Sequence, residues 1–518
     1  MSLTGSEADA TVTGTGRPGI AGVLDRALSE RPGAVAVVGR SGELTYAELD
    51  AAADRAAAAF SELGVGPGDR VAVCLPNDLD IVIAFHGAMR LGAIWTGVGE
   101  ALAVPEKRRL LEDGAPSIVI ALPGVAAELG DRWRAVALPL WRSLVAAAGR
   151  PPAVDVDVHA PAAIAYTSGT TGLPRGIVHS QHNLLLPGEV LVTTRGWGPE
   201  LRKGDCLPLT ILNMMVLTTL LTARAGGVCV LMDRRDAEGV AEWIGDHGVT
   251  HWNGVAAQLR DLARRRLPGL ACLREVWSGG ADCPEEVRTA FADAYGLVPR
   301  TTYGLTEAPT VVAIDPVGDR HAAPASGLVL GHLLVRALDD AGEALPPGRV
   351  GELCVSARPD GPWAGRWRPP LGVWSGGAVE PWPPGPLRTG DLGSVDDDGW
   401  LRVVDRRKLV IVRGGANVYP AEIERILLAQ PGVTGAVVFG VPDDRLGERV
   451  GCLVELDPAA TSLEELRGVC STQLARYKVP ERWATVAALP RNAMGKVVRT
   501  GLPSLLPVPP KREEREPC

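Results

Sequence analysis

The sequence lacks the cysteine spacing of a disulfide framework or a zinc site. Its 9 cysteines are scattered over 518 residues, with no CxxC pair and no cluster spaced with histidines. The first residues, Met1 to Pro18, also lack the basic start and the apolar stretch of a signal peptide. We therefore expect a cytoplasmic protein with reduced thiols.

A strong charge of one sign is missing as well. The chain carries 53 basic and 61 acidic residues, a formal net charge of −8, which gives no broad attraction to nucleic acid or anionic lipid. The uncharged segment from Cys206 to Ala223 is nearly long enough to span a bilayer. Arg224 and a Gly-Gly pair follow it directly, so we interpret it as a buried helix. We expect no nucleic-acid partner and no membrane partner, and the oligomeric state stays unknown.

Short apolar runs alternate with longer amphipathic stretches from about residue 21 to residue 255. Runs such as Val71–Leu75 and Val228–Met232 are typical of buried strands, and Glu48–Leu63 is typical of a helix. This alternation predicts parallel sheets covered by helices. At 518 residues the chain is also too long for one core, so we expect several structural units.

The second half of the chain changes character. The Gly- and Pro-rich stretch 326–404 predicts a small β-rich subdomain, with a loop over Arg358 to Pro386. We predict an N-terminal domain over 1–405, a C-terminal domain over 406–505 and a disordered tail over 506–518. The predicted fold class is α/β: a large domain of two doubly wound α/β subdomains plus the β-rich subdomain, followed by a small mobile α+β domain.

The strongest local motif is the run Tyr166-Thr-Ser-Gly-Thr-Thr-Gly-Leu-Pro-Arg-Gly176, directly after the apolar run Ala162–Ala165. Small hydroxyl and glycine residues let backbone N–H and side-chain O–H groups converge on phosphate oxygens, and a cation at the end neutralises charge. The motif differs from the GxxxxGK[ST] loop of common NTPases. The candidate phosphate ligands are Thr167, Ser168, Gly169, Thr170, Thr171, Gly172 and Arg175.

Further motif segments follow in order: Gly279-Gly280-Ala281, Tyr303 to Glu307, Thr389 to Gly393, Asp405 to Glu424, and Pro490 to Lys496. With the phosphate loop, they resemble the adenylate-forming superfamily of acyl-CoA synthetases, peptide-synthetase adenylation domains and beetle luciferases. The resemblance covers nearly the whole chain. It implies activation of a carboxylic acid by ATP, with Mg²⁺, as an acyl-adenylate.

The residue types in these segments suit the groups that such a reaction must hold. Tyr303 offers a ring face to adenine beside the backbone of Gly279, Gly280, Ala281 and Gly304, and Glu307 offers a hard oxygen to Mg²⁺. Thr306 can bind phosphate.

Two charged residues suit the rest of the nucleotide. Asp391 can accept both ribose hydroxyls, while Arg406 suits the ribose and α-phosphate region.

The resemblance assigns further roles in the C-terminal part. Lys496 matches the family's catalytic lysine, and Lys408 matches the hinge about which the C-terminal domain rotates between the two half-reactions. Gly414 and Gly415 correspond to the wall of the pantetheine tunnel that takes coenzyme A or a carrier protein's phosphopantetheine.

The chain also departs from the family pattern. Arg175 stands where the family usually has lysine, and a guanidinium is not equivalent to an ammonium. Thr210-Ile211-Leu212-Asn213 replaces an aromatic-His pair, so substrate recognition must differ. Leu409 replaces an Asp and Arg413 a small residue, which leaves the thiol acceptor open.

The acyl pocket implied by the resemblance includes Ile211, Asn213, Met214, Trp252 and Asn253. No Asp follows Leu209 within the next positions, so the anchor for an α-ammonium group is not evident. We expect a bulky aliphatic, alicyclic or aromatic acid that is not an amino acid. The asparagines suit one oxygen function on the acid or, equally, bond the backbone.

Three functions remain open at this point. The leading one is an acid:CoA ligase acting on a small-molecule carboxylic acid. The second is an adenylating enzyme that loads an acyl carrier protein or stops at acyl-AMP. The third is an inactive nucleotide-binding protein, against which the retained Lys496 and Glu307 argue.

Overall fold

The computed structural model describes residues 16–168, 174–279, 283–318, 325–414, 416–443, 445–492 and 496–507. The chain divides into two compact units. The first comprises Met1–Arg336, Cys354–Thr389 and Asp396–Leu401, and the second Ala337–Leu353, Gly390–Val395 and Arg402–Cys518. The predicted domain boundaries at 405 and 505 stay predictions.

Helices begin at polar caps in several places. Thr45 and Glu48 form a reciprocal capping box at the start of the second helix, and Asp236 caps the tenth. The α-helices, numbered in chain order, are α1 Asp25–Glu30, α2 Tyr46–Glu62, α3 Leu79–Arg90, α4 Val104–Gly114, α5 Pro123–Leu129, α6 Leu138–Ala147, α7 Gln181–Arg195, α8 Leu212–Met214, α9 Leu221–Ala225, α10 Ala237–His247, α11 Ala256–Arg265, α12 Glu285–Tyr295, α13 Pro420–Leu428 and α14 Leu463–Gln473. Short 3₁₀ helices cover Gly19–Leu24, Leu270–Cys272, Arg407–Leu409 and Leu502–Leu505, and a π-helical turn covers Met215–Leu220.

The strands are also numbered in chain order. The first fifteen are β1 Val35–Gly39, β2 Gly42–Thr45, β3 Arg70–Cys74, β4 Ile94–Gly97, β5 Ile118–Ala121, β6 Ala135–Ala137, β7 Pro161–Ser168, β8 Pro174–Ser180, β9 Arg202–Asp205, β10 Val228–Leu231, β11 His251–Gly254, β12 Glu275–Ser278, β13 Arg300–Leu305, β14 Thr310–Ile314 and β15 Gly327–Val329. The others are β16 Leu333–Leu338, β17 Gly351–Ala357, β18 Gly372–Ser375, β19 Ala378–Pro381, β20 Leu387–Val395, β21 Trp400–Arg406, β22 Ile411–Arg413, β23 Ala416–Val418, β24 Val433–Asp443, β25 Gly447–Leu456 and β26 Arg482–Thr485.

One sheet of the first unit has eight strands in the order β19-β18-β8-β7-β4-β3-β5-β6. Its central strands are parallel, from β7 through β4, β3 and β5 to β6, whereas β8 runs antiparallel to β7. Strands β3 and β5 are buried along almost their whole length, as expected for parallel strands with both faces covered.

In the first unit, nine strands of a second, 13-stranded sheet follow the order β15-β14-β13-β12-β11-β9-β10-β1-β2. Strands β13, β12, β11, β9, β10 and β1 are mutually parallel. One face packs on α10, α11 and α12 through a core that includes Trp252, Leu259 and Phe291. The carboxyl ends of β9, β11, β12 and β13 therefore lie along one edge, where open α/β sheets bind their ligands.

The second unit contains a separate α+β core. The long antiparallel pair β24–β25 carries β26 parallel to β25 on its other side, and the hairpin β22–β23 extends from β25. Helices α13 and α14 pack on this sheet through Ile423, Leu427 and Leu466. The predicted α/β fold class, with a large N-terminal and a small C-terminal part, is confirmed.

Two predictions of local structure need correction. Arg358 to Pro386 was expected to be a loop, but it contains the hairpin β18–β19, which pairs with β8. The interpreted helix over Cys206 to Ala223 begins only at Leu212 and passes through the π-helical turn. No helix in the described parts of the chain is long and apolar enough to cross a membrane. Of the tail predicted from residue 506, Leu506 is buried, while residues 508–518 lie outside the described ranges.

None of the eight cysteines that the structure describes forms a disulfide, and seven of them are buried. Burial raises the pKa of Cys74, Cys206 and Cys470 to about 11. These three thiols pack in three separate hydrophobic clusters.

Candidate active site

The predicted phosphate loop connects the antiparallel pair β7–β8. Thr167 lies opposite Arg175 in the register, and Ser168 lies opposite Pro174. The predicted ligands Gly169, Thr170, Thr171 and Gly172 lie outside the described residues. The two ends of the loop are thus fixed side by side at the end of a strand that is buried up to Ala165.

Arg175 has an aromatic partner that the sequence did not indicate. Its guanidinium carbon lies 5.2 Å from the ring centroid of Trp382, just after β19. The backbone N–H of Trp382 donates to the carbonyl of Leu371 at 3.2 Å, which fixes the segment. A planar guanidinium stacks on an aromatic face better than an ammonium does. The departure from lysine therefore coincides with a tryptophan positioned to hold arginine.

The adenine and magnesium candidates lie at the carboxyl edge of the second sheet. Gly279 directly follows β12, Tyr303 and Gly304 are in β13, and Thr306 and Glu307 form the turn after it. Gly280 and Ala281 are outside the described residues. The structure thus brings together, on adjacent strand ends, residues that are more than twenty positions apart in sequence.

The turn between β13 and β14 is tightly built. A Cβ at Gly304 would stand 1.8 Å from the carbonyl oxygen of Thr310, so only glycine fits there. Thr310 itself has a φ of 81°, an unusual conformation for a β-branched residue, and its buried hydroxyl has no hydrogen-bond partner among the described residues. Strained residues of this kind concentrate at functional sites. Sequence analysis missed Thr310, and only its place three residues after Glu307 pointed to it.

His179 ties the phosphate-loop strand to this turn. Its Nε2 lies 2.8 Å from the carbonyl oxygen of Thr306, and since a carbonyl only accepts, Nε2 carries the proton. The ring is fully buried, and burial lowers the pKa of His179 to about 4. The neutral imidazole therefore fixes β8 against the turn that carries Thr306 and Glu307.

The acyl-pocket candidates divide between two faces of the sheet. Ile211, Asn213 and Met214 lie at the start of the helical run, and Asn253 is the next-to-last residue of β11. Trp252 points to the opposite face, where its side chain packs in the helix-covered core.

Three buried oxygens among and beside the acyl-pocket candidates lack hydrogen-bond partners among the described residues. The Oδ1 atoms of Asn213 and Asn253 and the hydroxyl of Thr210 have no hydrogen-bond partner among the described residues. Such groups in a folded protein call for a ligand or water.

In the second unit, Asp391 and Arg406 form an ion pair of 3.1 Å between Oδ1 and Nε. The backbone N–H of Arg406 donates to Asp405 at 2.7 Å, and the other Asp405 oxygen accepts the N–H of Ala421 at 2.8 Å. Burial raises the pKa of Asp405. These contacts connect the end of β21 to the start of α13.

Lys496 stands near the same groups. Lys496 is exposed at the surface. Even so, partial loss of water around the ammonium, followed by repulsion from Arg406, lowers the pKa of Lys496 to about 8. Asp391 opposes this shift, whereas Arg499 and Lys408 add to it. The second unit thus gathers Asp391, Arg406 and Lys496 into one electrostatic group.

The hinge and tunnel candidates flank β22. Lys408 is exposed in the 3₁₀ helix Arg407–Leu409. Gly414 has a φ of 58° and donates its N–H to the carbonyl of Leu446 at 2.7 Å, while Gly415 is outside the described residues. Arg413 binds Glu481 at 2.6 Å, which explains an arginine at that position by a local ion pair.

Comparison with known proteins fits this geometry. The family of AMP-binding enzymes matches residues 24–359, and its C-terminal domain matches residues 422–496. The first match alone covers more than half of the chain, so the chain belongs to the AMP-binding enzymes. Since curated relatives are named CoA ligases and a CoA synthase, we class it as an AMP-forming acyl-CoA synthetase.

Two relatives and one solved structure illustrate the likeness. The chain is 32% identical to the long-chain-fatty-acid–CoA ligase FadD13 of Mycobacterium tuberculosis, over 89% of this chain and 92% of that protein. It is 33% identical to the feruloyl-CoA synthase of Amycolatopsis sp, over 90% and 95%. The crystal structure of ATP-bound MatB from Rhodopseudomonas palustris superposes with a TM-score of 0.82 at 27% identity, covering 92% of this chain and 97% of that one.

Proposed function

We propose that the chain activates a carboxylic acid with ATP, releasing pyrophosphate and forming acyl-AMP. The thiol of coenzyme A then attacks the acyl carbonyl, forming the thioester and releasing AMP. The observation that carries this proposal is the junction made by His179, which holds the phosphate-loop strand against the turn of Thr306 and Glu307. ATP phosphates, Mg²⁺ and a carboxylate must meet at such a point, because phosphoryl chemistry is mostly positioning and charge neutralisation.

Within this proposal each part of the nucleotide has its residues. The phosphates bind to Thr167, Ser168 and the 169–172 loop, with Arg175 at its end. Adenine stacks on Tyr303 beside the backbone of Gly279, and Asp391 accepts the ribose hydroxyls. Arg406 and Lys496 neutralise charge at the α-phosphate, where the carboxylate attacks.

Magnesium fits the donor set around Glu307. The described residues include no group of three or more His, Cys, Asp or Glu side chains that could hold a metal ion. Mg²⁺ in nucleotide sites is held by one or two carboxylates together with substrate phosphates, so a lone Glu307 suits it. The bound ion would neutralise charge on the phosphates. Glu307 would orient it, and Thr306 would bind phosphate beside it.

The proposed acid is bulky, largely apolar and not an amino acid. Met214 is buried, and the buried unpartnered oxygens of Asn213 and Asn253 suit one polar function on it. The relatives named for long-chain fatty acids and for ferulic acid support this class. Coenzyme A is the proposed acceptor, and Lys408 is the proposed hinge between the two steps, with Gly414 and Gly415 presented to the thiol.

A substrate panel tests the proposal. Long-chain fatty acids, benzoic acid, ferulic acid and phenylalanine are each incubated with ATP and Mg²⁺, and pyrophosphate release is measured before and after addition of CoA. We expect release with at least one non-amino acid and an acyl-CoA product only when CoA is present. Activity with phenylalanine alone, or no acyl-CoA with any acid, would contradict the proposal.

Trp382 is expected to support ATP binding through Arg175. A cation–π contact at an exposed site contributes about 0.5–1 kcal/mol, so Trp382→Ala should raise KM for ATP about two- to fivefold, and Arg175→Ala should raise it further. Trp133→Ala is the matched control, because Trp133 is also partly buried and carries an arginine, Arg132, 5.0 Å above its ring. Equal effects of the two tryptophan variants on KM for ATP would refute the role of Trp382.

The pH dependence of adenylation should report on Lys496. Its pKa of about 8 in the free enzyme means that the ammonium is charged below pH 8 and neutral above it. Because the proposed role needs the cation, kcat/KM for pyrophosphate release should fall as pH rises through about 8. In Lys496→Arg, which keeps its charge, this alkaline limb should disappear. The profile is measured from pH 6.5 to 9.5, and an alkaline limb that persists in the arginine variant would assign it to another group.

A further inference from the structure

A buried ion pair lies beneath the helical run that follows β9. Lys203 and Asp205 are on the same face of β9, are only 1% and 0% exposed, and approach to 3.0 Å between Nζ and Oδ2. Lys203 is one of six lysines in the chain, and its ammonium also lies 5.4 Å from the ring centroid of Trp277. A charged pair removed from water is costly unless its hydrogen bonds are satisfied. The buried pair of Lys203 and Asp205 is therefore expected to have a specific structural or functional role.

The carboxylate of Asp205 connects three elements. One oxygen accepts the backbone N–H of Asn253, near the end of β11, at 3.1 Å. The other accepts the ammonium of Lys203 and the hydroxyl of Thr218, the latter at 2.6 Å. Asp205 therefore ties the carboxyl ends of β9 and β11 to the helical run above them.

Thr218 lies in the π-helical turn Met215–Leu220, and its hydroxyl behaves differently from those of its neighbours. Thr219 and Thr222 donate to backbone carbonyls four residues earlier, those of Met215 and Thr218. Thr218 alone of these three reaches out of the helix, to Asp205. A π turn is rare, and it is frequently found at functional sites.

We propose that Asp205 is a positioning residue for the acyl pocket: it holds the π-helical turn in place through Thr218 and so sets where Asn213 and Met214 stand relative to Asn253. This inference rests on the proposed function, in which these three residues contact the acyl group. Asp205 itself touches neither the acid nor ATP.

The three donors around Asp205 suit a carboxyl group at this position. Burial raises the pKa of Asp205, and the charge of Lys203, the Thr218 hydroxyl and the Asn253 N–H oppose this shift. A carboxylate has acceptor sites for all three donors, whereas an amide has one acceptor oxygen. Lys203 thus supplies one of the three donors that favour the carboxylate form of Asp205, against the effect of burial.

Three variants test the inference. Thr218→Val removes the hydroxyl without changing the shape, Thr218→Ser keeps the hydroxyl, and Thr222→Val removes a buried hydroxyl one turn later that bonds only within the helix. We expect Thr218→Val to raise KM for the best acid of the panel about tenfold, with KM for ATP changed less than about twofold. Thr218→Ser should restore the acid KM to within about twofold of wild type, and Thr222→Val should leave both constants in that range.

Hydrogen exchange supplies a readout that needs no turnover. Amides of Met215–Leu220 should exchange at least about tenfold faster in Thr218→Val than in Thr222→Val, with both proteins equally folded by circular dichroism. Equal exchange in the two variants would overturn the inference.

The kinetic outcomes separate the inference from the function on which it rests. The inference alone would be overturned if the wild type were active but Thr218→Val had an unchanged KM for the acid. It would also be overturned if the variant raised KM for the acid and KM for ATP equally. A wild type that activates no acid would overturn the proposed function and the acyl role together.

Discussion

Lys496→Ala is expected to slow the formation of acyl-AMP about a hundredfold or more, while transfer of the acyl group from supplied acyl-AMP to CoA stays near the wild-type rate. During adenylation, the negative charges of the carboxylate and the α-phosphate are brought together, and one well-placed cation lowers such a barrier by about 3–4 kcal/mol. In the transfer step no phosphate is attacked. The measurement is a pair of single-turnover rates, one for each half-reaction.

Lys478→Ala is the matched control for this variant. Lys478 belongs to the same unit and binds Glu422 at 2.7 Å, so its removal deletes a lysine and a partly exposed ion pair. Both half-reactions should be unchanged. If Lys496→Ala slowed both steps equally, the separation of roles would fail, and if it slowed neither, Lys496 is not catalytic.

Asp391→Asn should lower kcat/KM for ATP about ten- to a hundredfold. Asp391 is 4% exposed and pairs with Arg406, and its carboxylate is proposed to accept both ribose hydroxyls. Asparagine keeps the shape but offers one acceptor oxygen and no charge to Arg406. A hydrogen bond to a charged group contributes about 1.5–3 kcal/mol, which corresponds to the expected factor.

Glu352→Gln separates ribose binding from simple loss of a buried carboxylate. Glu352 is 6% exposed and binds Arg407, the arginine next to Arg406, at 2.8 Å. This variant should lower the thermal midpoint but leave kcat/KM for ATP within about twofold of wild type. If both variants impaired ATP use to the same degree, Asp391 would be a structural residue.

Much of the fold could be predicted because buried positions are apolar and recur with the spacing of a strand or a helix. Val71–Leu75, Val228–Met232 and Glu48–Leu63 correspond within two residues to β3, β10 and α2. Unbroken apolar runs of four or five residues fit strands with both faces covered, and the capping box of Thr45 and Glu48 marks a helix start.

The hairpin β18–β19 was missed although a signal for it was present. Its two strands are joined by Gly376 and Gly377, with φ of 56° and 87°, the two-residue glycine loop typical of tight hairpins. The proline and tryptophan residues around it made the whole stretch read as a loop. Pairing with β8 supplies the stability that this short hairpin would lack by itself.

The candidate site, like the fold, could be predicted from the sequence only in part. Motif residues such as Thr306, Glu307 and Lys496 could be selected because their order along the chain resembles a known family. The residues that contact the motif could not be predicted. Trp382 contacts Arg175, and His179 contacts Thr306, only because strand pairing brings distant parts of the sequence together. Nothing local distinguishes such a histidine or tryptophan from an ordinary core residue.

The buried thiols allow the rate of local unfolding to be measured separately in different parts of the structure. Only the thiolate reacts with an alkylating reagent, and with a pKa of about 11 for Cys74, Cys206 and Cys470 roughly one thiol in a thousand is ionised at pH 8. Because these three side chains are also at most 2% exposed, modification of the native protein requires local unfolding. Because Cys74 and Cys206 belong to the first unit and Cys470 to the second, peptide-resolved mass spectrometry would yield a separate opening rate for each, and nucleotide binding should slow whichever one it stabilises.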